Sequence, residues 1–327
     1  QEDVNDVLKN AKTINLSAEH YVVHAIRQHF IVDGHDSIRN PVGMFGDRIE
    51  VDMHVVHGVL NRLQNSIRVI QGMQIEVSDV VFNGLGSALA VLSSEQKEMG
   101  TLVIDMGAGT TEYVVYCGGI VRHTGVLAVG GDHVSNDLAY GLKVTQSRAE
   151  SLKIDHGSAL PPGDDGGGNI TISGRPGEPD RVVDLGKLRM ITHMRTEEIL
   201  ELIRQDLEKH GVGRYVHAGV VLTGGAARIP KLARLAGKVF GLPARVSCAS
   251  AVGGSKDATD QLEYVAGIGL VKFGSFQHKQ RETRGIFPQT LRQKVGGWLS
   301  KGKAFVFECG ETMPVFLELH FAGHNKK

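Results

Sequence analysis

A glycine-rich turn between two apolar segments carries the residues best suited to chemistry. The apolar run at 102–104 leads into Asp105, and two glycines and two threonines follow. Phosphate oxygens need several N–H donors at close range, which a backbone without β-carbons supplies best. Asp105 can hold Mg²⁺ through water, since this ion keeps several of its waters. The pattern predicts a phosphate-binding turn, with a ligand-free hairpin as the alternative, formed by Gly107, Ala108, Gly109, Thr110 and Thr111.

A second glycine turn has the same design. An apolar run at 220–222 precedes it, and a helix begins near Ile229, where its N-terminus can face a phosphate or a ribose. Each turn alone also occurs in proteins that bind no ligand. Together they resemble the nucleotide cleft of the actin, sugar kinase and heat-shock chaperone superfamily. The additional candidate residues are Gly130, Gly131, Gly224, Gly225 and Ala226.

Alternating and helical patterns predict the elements that position these turns. Predicted strands are Tyr21–Val32, Arg48–His57, Val77–Phe82, Thr101–Met106, Glu112–Tyr116, Ile120–Val129 and Ala218–Leu222. Predicted helices cover 59–72, 84–92, 134–140, 147–154, 188–210, 229–240 and 262–271. The stretch from Pro161 to Asp180 is rich in Gly, Pro and Asp and is predicted to be an exposed loop.

Several longer segments resemble the FtsA family of bacterial cell division proteins, from Gln1 to about Phe273. The early segments matter most, because they are similar to a small subdomain called 1C that sugar kinases and actin lack at this place. The segments that carry the resemblance are 38–44 (IRNPVGM), 48–57, 130–139 (GGDHVSNDLA) and 149–154 (AESLKI).

The resemblance implies an α/β, actin-like (ribonuclease H-like) ATPase fold with a small inserted α+β subdomain of the 1C type and an incomplete first lobe. It also implies ATP and Mg²⁺ as cofactors, with ATP acting mainly as an assembly switch and with at most weak ATPase activity. Residues 105–112 become the second phosphate loop, and 224–226 the adenosine loop. Glu150 and Lys153 then face the ribose and adenine, although an exposed ion pair of this spacing needs no ligand.

The same resemblance divides the chain into subdomains. Residues 1–76 are expected to form part of 1C, 77–98 the connecting helix of the first lobe, 99–150 subdomain 2A and 151–217 subdomain 2B. Residues 218–273 return to 2A, 274–285 form a linker, 286–305 an amphipathic helix and 306–327 a divergent tail. The chain begins with Gln1 inside a helical pattern, and no D-x-G turn precedes Asp105. We therefore expect a first phosphate loop upstream of this sequence.

The stretch 287–305 has a basic-flanked apolar face that suits the surface of an anionic membrane. FtsA proteins have such an anchor after a variable linker, whereas the pattern alone also fits a helix packed on its own protein. Glycines 296, 297 and 302 weaken the helix. The candidate membrane residues are Phe287, Leu291, Arg292, Lys294, Val295, Trp298, Leu299 and Lys301.

Partners are expected from the resemblance as well. Subdomain 2B should meet the C-terminal tail of FtsZ through the helix that carries Arg195, Glu198 and Arg204, although a solvated charged face is equally consistent with them. Other expected partners are a second copy of this chain in a head-to-tail polymer, anionic lipid and later divisome proteins. The implied location is the cytoplasmic face of the bacterial membrane at the division septum.

Composition excludes several classes of function. Lys plus Arg and Asp plus Glu both number 36, so no global field recruits nucleic acid. The three cysteines are odd in number and lie far apart, which favours a reducing cytoplasm. No apolar run reaches the roughly 20 residues of a membrane span. The alternatives are an actin-like pilus-assembly scaffold and, less favoured, a sugar-kinase-like phosphotransferase.

Overall fold

The structure is a computed structural model, and it describes residues 1–11, 13, 16–163, 168–172, 180–249 and 261–283, with the strand backbones at 306–307 and 319–321. The chain divides into two compact units. The first contains Gln1–Leu89, Ile120–Arg122 and Gly269–Lys327, and the second contains Ala90–Gly119 and His123–Ile268.

A mixed sheet and one helix build the first part of the first unit. Helix α1 (Glu2–Ala11) is followed by strands β1 (His20–Val32), β2 (His35–Ile38) and β3 (Ile49–Val59). Strand β1 is antiparallel to both β2 and β3, and β12 (Val306–Phe307) pairs with it in parallel. Val4 and Leu8, one helical turn apart on α1, are buried against Phe30 of β1. The predicted strands at 21–32 and 48–57 and the predicted helix at 59–72 are confirmed, the last as α2 (Leu60–Gly72).

The rest of the first unit contains a close crossing of two helices. Strand β4 (Ile75–Val77) pairs with β13 (Leu319–Phe321), and α3 (Asn83–Val91) follows. A β-carbon at Gly269 would lie 1.8 Å from the Gly86 carbonyl oxygen of α3, so the two backbones meet where neither has a side chain. The helix that carries Gly269 is the last one described, Val265–Thr283.

A five-stranded sheet forms the centre of the second unit, to which all of its residues except Ile120–Arg122 belong. After α4 (Ser94–Met99), the strands are β5 (Thr101–Met106), β6 (Thr111–Cys117), β7 (Ile120–Leu127), β10 (Val220–Thr223) and β11 (Ala244–Val246), in the spatial order β11-β10-β5-β6-β7. Strand β5 is parallel to β10 and antiparallel to β6. Every residue of β5 is buried, which explains its nearly continuous apolar sequence.

Helices cover this sheet and complete the core of the second unit. They are α5 (Gly131–Leu142), α6 (Gln146–His156), α7 (Leu185–Lys209) and α8 (Leu232–Phe240), while β8 (Asn169–Ile172) and β9 (Arg181–Asp184) form a hairpin before α7. Asp184 caps α7 by accepting hydrogen bonds from the N–H groups of Gly186 and Lys187. The fully buried residues of α7 are Leu188, Thr192, Thr196, Ile199, Leu200 and Ile203.

The structure corrects three expectations about elements. The predicted strand at 77–82 is shorter and earlier, at Ile75–Val77. The predicted loop at 161–180 includes β8, because Asn169–Ile172 pairs with Arg181–Asp184. The predicted linker at 274–285 is helical through Thr283, since α9 (Val265–Thr283) continues without a break. The predicted amphipathic segment at 286–305 lies outside the described residues.

Among the helices that the structure describes, none combines the length and apolarity needed to cross a bilayer.

A substitution at Leu200 tests the packing of the core of the second unit. Replacing this fully buried side chain by alanine leaves a cavity, so we expect Leu200→Ala to lower the free energy of unfolding by about 2–5 kcal/mol. The matched control is Leu202→Ala on the same helix, where the leucine is 38% exposed and the loss should stay below about 1 kcal/mol. Urea unfolding followed by circular dichroism measures both, and equal losses would contradict this assignment of the buried face.

Candidate functional site

The turn between β5 and β6 presents three backbone donors. The N–H of Gly107 donates to the Thr110 carbonyl oxygen over 2.9 Å, which closes the turn. Across the part of the chain that the structure describes, the N–H groups of Ala108, Gly109 and Thr110 have no hydrogen-bond acceptor. A β-carbon at Gly109 would meet no described atom within 4 Å, so the space beside these donors is open. Consecutive N–H groups without acceptors, next to open space, are suited to an anion.

The predicted Gly130–Gly131 pair packs directly on this turn. The N–H of Gly131 donates to the Gly107 carbonyl oxygen (2.9 Å), and the N–H of Asp132 donates to that of Ala108 (2.8 Å). A β-carbon at Gly130 would lie 2.6 Å from both of these carbonyl oxygens, so glycine is required there. The contact places the N-terminus of α5, with its partial positive charge, beside the turn.

A row of polar side chains crosses three strands at the same end of the sheet. Asp105 of β5 is the direct partner of Glu112 on β6 and of Thr223 on β10, so all three side chains lie on one face. Their exposed fractions are 7%, 8% and 0%. The Thr223 hydroxyl is buried and has no hydrogen-bond partner in the described residues. Such an orphaned group marks a place for a water or a ligand.

Burial raises the pKa of Glu112, and the neighbouring Asp105 charge adds to this shift. A hydrogen bond from the Thr110 hydroxyl, at 2.8 Å, opposes it without cancelling it. Two carboxyl groups on one buried row therefore repel each other when both are ionised. A cation next to Asp105 would relieve this cost, and hydrated Mg²⁺ is a suitable one.

The second predicted turn lies against the first. Gly224 has a φ of +86°, and a β-carbon there would approach Asp105 Oδ1 to 2.3 Å. Ala226 approaches Gly131, because a β-carbon at 131 would lie 3.1 Å from the Ala226 β-carbon. Gly225 opens the short 3₁₀ turn that follows. The structure thus brings the predicted residues of the three glycine segments together within the second unit.

The predicted pair Glu150 and Lys153 forms a salt bridge beside this site, with 2.7 Å between Lys153 Nζ and Glu150 Oε2. Lys153 also donates to the Gly131 carbonyl oxygen over 3.0 Å, and the Ser135 hydroxyl donates to Glu150. Partial burial raises the pKa of Glu150, but hydrogen bonds from Lys153 and Ser135 outweigh that effect and lower it. Lys153 is buried, so this salt bridge is not the exposed ion pair that was the alternative to a ribose and adenine contact.

The structure assigns the Thr111 hydroxyl to an internal contact. This hydroxyl belongs to a completely buried residue and donates to the Val129 carbonyl oxygen over 2.7 Å. The hydrogen bond links the start of β6 to the residues that follow β7. The Thr111 O–H is therefore not directed at the space beside the turn. The predicted phosphate contact of Thr111 is corrected in this respect, because the side chain of the first residue of β6 points into the protein.

The predicted partner residues lie on α7 and are engaged with neighbouring charges. Arg195 donates to both carboxylate oxygens of Asp137 on α5, over 2.6 and 3.2 Å, and to Glu198 over 2.5 Å. Arg204 pairs with acidic side chains three positions before it and four after it on the same helix, Glu201 and Glu208. Arg195 consequently joins two helices, while Arg204 belongs to a half-exposed charged surface. The predicted membrane residues, from Phe287 to Lys301, lie outside the described residues.

Solved structures of low sequence identity share this fold. MreB5 of Spiroplasma citri, solved with ADP bound, has a TM-score of 0.51 at 15% identity, covering 81% of this chain and 99% of that one. The PilM–PilN type IV pilus biogenesis complex has a TM-score of 0.55 at 15% identity, covering 88% of this chain and 73% of that one. The class is therefore defined: the chain has the actin-like ATPase fold, as its sequence predicts.

Comparison with related sequences identifies the family of the chain within this fold class. The family profile "Cell division protein FtsA" matches residues 102–269, and "SHS2 domain inserted in FTSA" matches residues 1–57. Cell division protein FtsA of Escherichia coli K12 is 31% identical over 308 residues, covering 92% of this chain and 73% of the relative. That of Borreliella burgdorferi is 33% identical over 307 residues, covering 92% and 74%. The chain belongs to the FtsA family of cell division proteins, and the predicted resemblance is confirmed.

Three residues of the site were not among the sequence-derived candidates. Glu112 is the last residue of the first glycine motif. Its position beside Asp105 could be predicted from the strand–turn–strand pattern, since the two residues pair across the turn. Thr223 precedes the second glycine pair and meets Asp105 only through strand pairing. Ser135 reaches Glu150 across two helices, and no local pattern indicates that contact.

Glu112→Gln tests the buried row. Because the raised pKa means that the folded protein holds this proton more tightly, the carboxyl group lowers stability as pH rises above its ordinary pKa. We expect the variant to be more stable than the unchanged chain at neutral pH, and the difference to vanish as pH falls toward about 4. Thermal unfolding across this pH range measures it. The control is Glu19→Gln at an exposed position, and a pH-independent difference would contradict the assignment.

Proposed function

We propose that the chain binds ATP in the second unit and uses it as a switch for assembly in cell division. The observation that carries this proposal is the trio of unpaired N–H groups at 108–110, which lies beside the N-terminus of α5 and the buried carboxyl groups of Asp105 and Glu112. Donors for a phosphate, oxygen ligands for a hydrated cation and open space thus occur together. Membership of the FtsA family and the ADP in the related MreB5 structure support the same ligand.

Each group at the site has a specific proposed role. The N–H groups of 108–110 bind phosphate oxygens, and Asp105 holds Mg²⁺ through water with Glu112 beside it. Glu150 and Lys153 orient the ribose and adenine next to the second glycine turn. Bound Mg²⁺ would supply charge neutralisation for the phosphates. Hydrolysis is proposed to be weak at most, since no general base is assigned.

The wider function follows from the family and remains a proposal. We infer that the chain associates head to tail, lies on the cytoplasmic face of the membrane at the division septum and tethers the FtsZ ring. The charged surface of α7 with Arg195, Glu198 and Arg204 would meet the FtsZ C-terminal tail, and later divisome proteins would follow. Many weak membrane anchors acting together give firm attachment. Family membership favours this function over a pilus scaffold, because the PilM likeness concerns the fold alone.

Gly109→Ala tests nucleotide binding without disturbing the turn. Position 109 has open space and no positive φ, so the added methyl group should leave the fold intact and occupy the space beside the donors. We expect ATP affinity in the presence of Mg²⁺ to fall by about tenfold or more, which corresponds to about 1.4 kcal/mol. The matched control is Gly213→Ala, another open glycine without positive φ, and it should not change affinity.

Isothermal titration of the three chains with Mg²⁺ and ATP measures this difference. Equal affinities for the unchanged chain and Gly109→Ala would contradict the proposed phosphate contact. The absence of any ATP binding by the unchanged chain would contradict the nucleotide switch itself.

Sedimentation with lipid vesicles tests the proposed membrane segment. We expect the chain to sediment with anionic vesicles and much less with neutral ones, because basic residues flank the apolar face. Introducing glutamate at Trp298 and Leu299 places two charges on that face and should abolish sedimentation. A chain with unchanged 286–305 and altered Gly213 serves as the control. Equal sedimentation of the glutamate variant would exclude this segment as the anchor.

A further inference from the structure

Three potential metal ligands meet where β7 lies beside the carboxyl end of α7. His123 belongs to β7, Asp206 belongs to the last turn of α7, and His210 is the residue that follows this helix. One ligand atom from each lies within 4.8 Å of the other two. In the described residues, they are the one group of three His, Cys, Asp or Glu side chains that meets this condition. None of the three belongs to the glycine turns.

The two histidines approach the same carboxylate. His123 Nε2 is 2.7 Å from Asp206 Oδ2, and His210 Nδ1 is 3.2 Å from Asp206 Oδ1. Asp206 and His210 are four positions apart, which places their side chains on one face of the helix. The third ligand arrives from a separate strand. Two imidazoles and a carboxylate from two elements therefore converge on one point.

A buried hydroxyl group orients the shared carboxylate. Tyr113, only 3% exposed, donates its O–H to Asp206 Oδ2 over 2.6 Å. The ring fits there because position 125 is glycine: a β-carbon at Gly125 would lie 2.1 Å from Tyr113 Cζ. Hydrogen bonds of this kind to a ligating carboxylate are typical of the residues that surround metal sites.

The spacing of the three groups is close to that of a tetrahedral site. Bonds of 2.0–2.2 Å place neighbouring ligand atoms about 3.4 Å apart. The 2.7 Å contact of His123 ends at Asp206 Oδ2 and the 3.2 Å contact of His210 ends at Asp206 Oδ1, so the two contacts do not share one oxygen. With one ligand atom from each residue, a separation at the 4.8 Å limit would have to shorten by about 1.4 Å. The His210 side chain is 44% exposed, and its Nδ1 also contacts the Asp206 carbonyl oxygen at 2.9 Å, a contact that a metal bound at Nδ1 would replace. Its exposure also gives an ion a path from solvent.

We propose that His123, Asp206 and His210 bind a divalent first-row transition-metal ion, for which Zn²⁺ is the test ion, with water as the fourth ligand. Imidazole nitrogens favour Zn²⁺, Cu²⁺ and Ni²⁺, whereas Mg²⁺ and Ca²⁺ prefer oxygen ligands. The site therefore differs in chemistry from the row at Asp105. Bound metal would fasten β7 to the end of α7 and raise the stability of the second unit.

Titration calorimetry with Zn²⁺ tests the site, using the 327-residue chain without nucleotide above about pH 7, because protons compete with a metal ion for its ligand atoms. We expect one tightest site per chain, weakened by about 100-fold or more in His210→Ala. The matched control is His193→Ala, since His193 also pairs with a carboxylate four positions later on α7, at 3.5 Å from Glu197. It should leave the tightest site unchanged.

Tyr113→Phe gives a second measurement that keeps all three ligands and the aromatic ring. Loss of its hydroxyl should weaken Zn²⁺ binding by about tenfold. Co²⁺ in place of Zn²⁺ should give the visible absorption of a four-coordinate ion with the unchanged chain and lose it with His123→Gln. Circular dichroism confirms folding of each variant, and ATP binding should be unaltered in His210→Ala.

Two results would overturn the proposal. One is the same Zn²⁺ affinity in the unchanged chain and in both His210→Ala and Tyr113→Phe. The other is a lack of any site tighter than about millimolar in the unchanged chain, which would leave the three residues as an ion-pair cluster. Since the titration contains no nucleotide, neither result depends on whether the chain binds ATP.

Discussion

The packing of one glycine segment on another is the constraint on which the candidate site depends. The N–H groups of Gly131 and Asp132 donate to the carbonyl oxygens of Gly107 and Ala108, so the turn after β5 is held through its acceptors, while its donors at 108–110 have no acceptor in the described residues. The packing of these two segments requires that residue 130 be glycine, because a β-carbon there would collide with the carbonyl oxygens of both Gly107 and Ala108. The same contact aligns the start of α5 with the turn.

Strand pairing then adds the charged groups to that arrangement. The parallel pairing of β5 with β10 sets Thr223 beside Asp105 and delivers Gly224 in its left-handed conformation against the same carboxyl group. The antiparallel pairing of β5 with β6 sets Glu112 on the other side. One end of the sheet therefore combines backbone donors without an acceptor, two acidic groups and a buried hydroxyl without a partner in the described residues.

Sequence patterns predict most of the elements and the glycine turns that meet at the candidate site, because glycine turns after apolar runs are local signals. Strand β5 and helix α7 were identified by their apolar spacing. The hairpin β8–β9 was missed, since its Gly-, Pro- and Asp-rich surroundings have the composition of a loop. The sequence predicts helix α9 too short, because its apolar pattern ends at Val271 and a linker is expected from Gly274.

Contacts between distant parts of the chain could not be predicted in this way. The meeting of His123 with Asp206 depends on how β7 lies beside α7, and the link from Ser135 to Glu150 depends on the packing of α5 on α6. The direction of the Thr111 side chain depends on the register of β6 with β5. A residue's type gives its chemistry, but only tertiary packing decides whether its hydroxyl faces a ligand or a carbonyl group.

The buried row of Asp105 and Glu112 also makes an unliganded protein less stable than its apolar core allows. Natural selection tolerates such a deficit where activity needs it, and substitutions that remove the repulsion commonly exchange function for rigidity. Efforts to obtain a more heat-resistant version of this chain should therefore leave 105 and 112 alone. Improvements are better sought on exposed helix surfaces, where added stability leaves the charges of the proposed cation site unchanged.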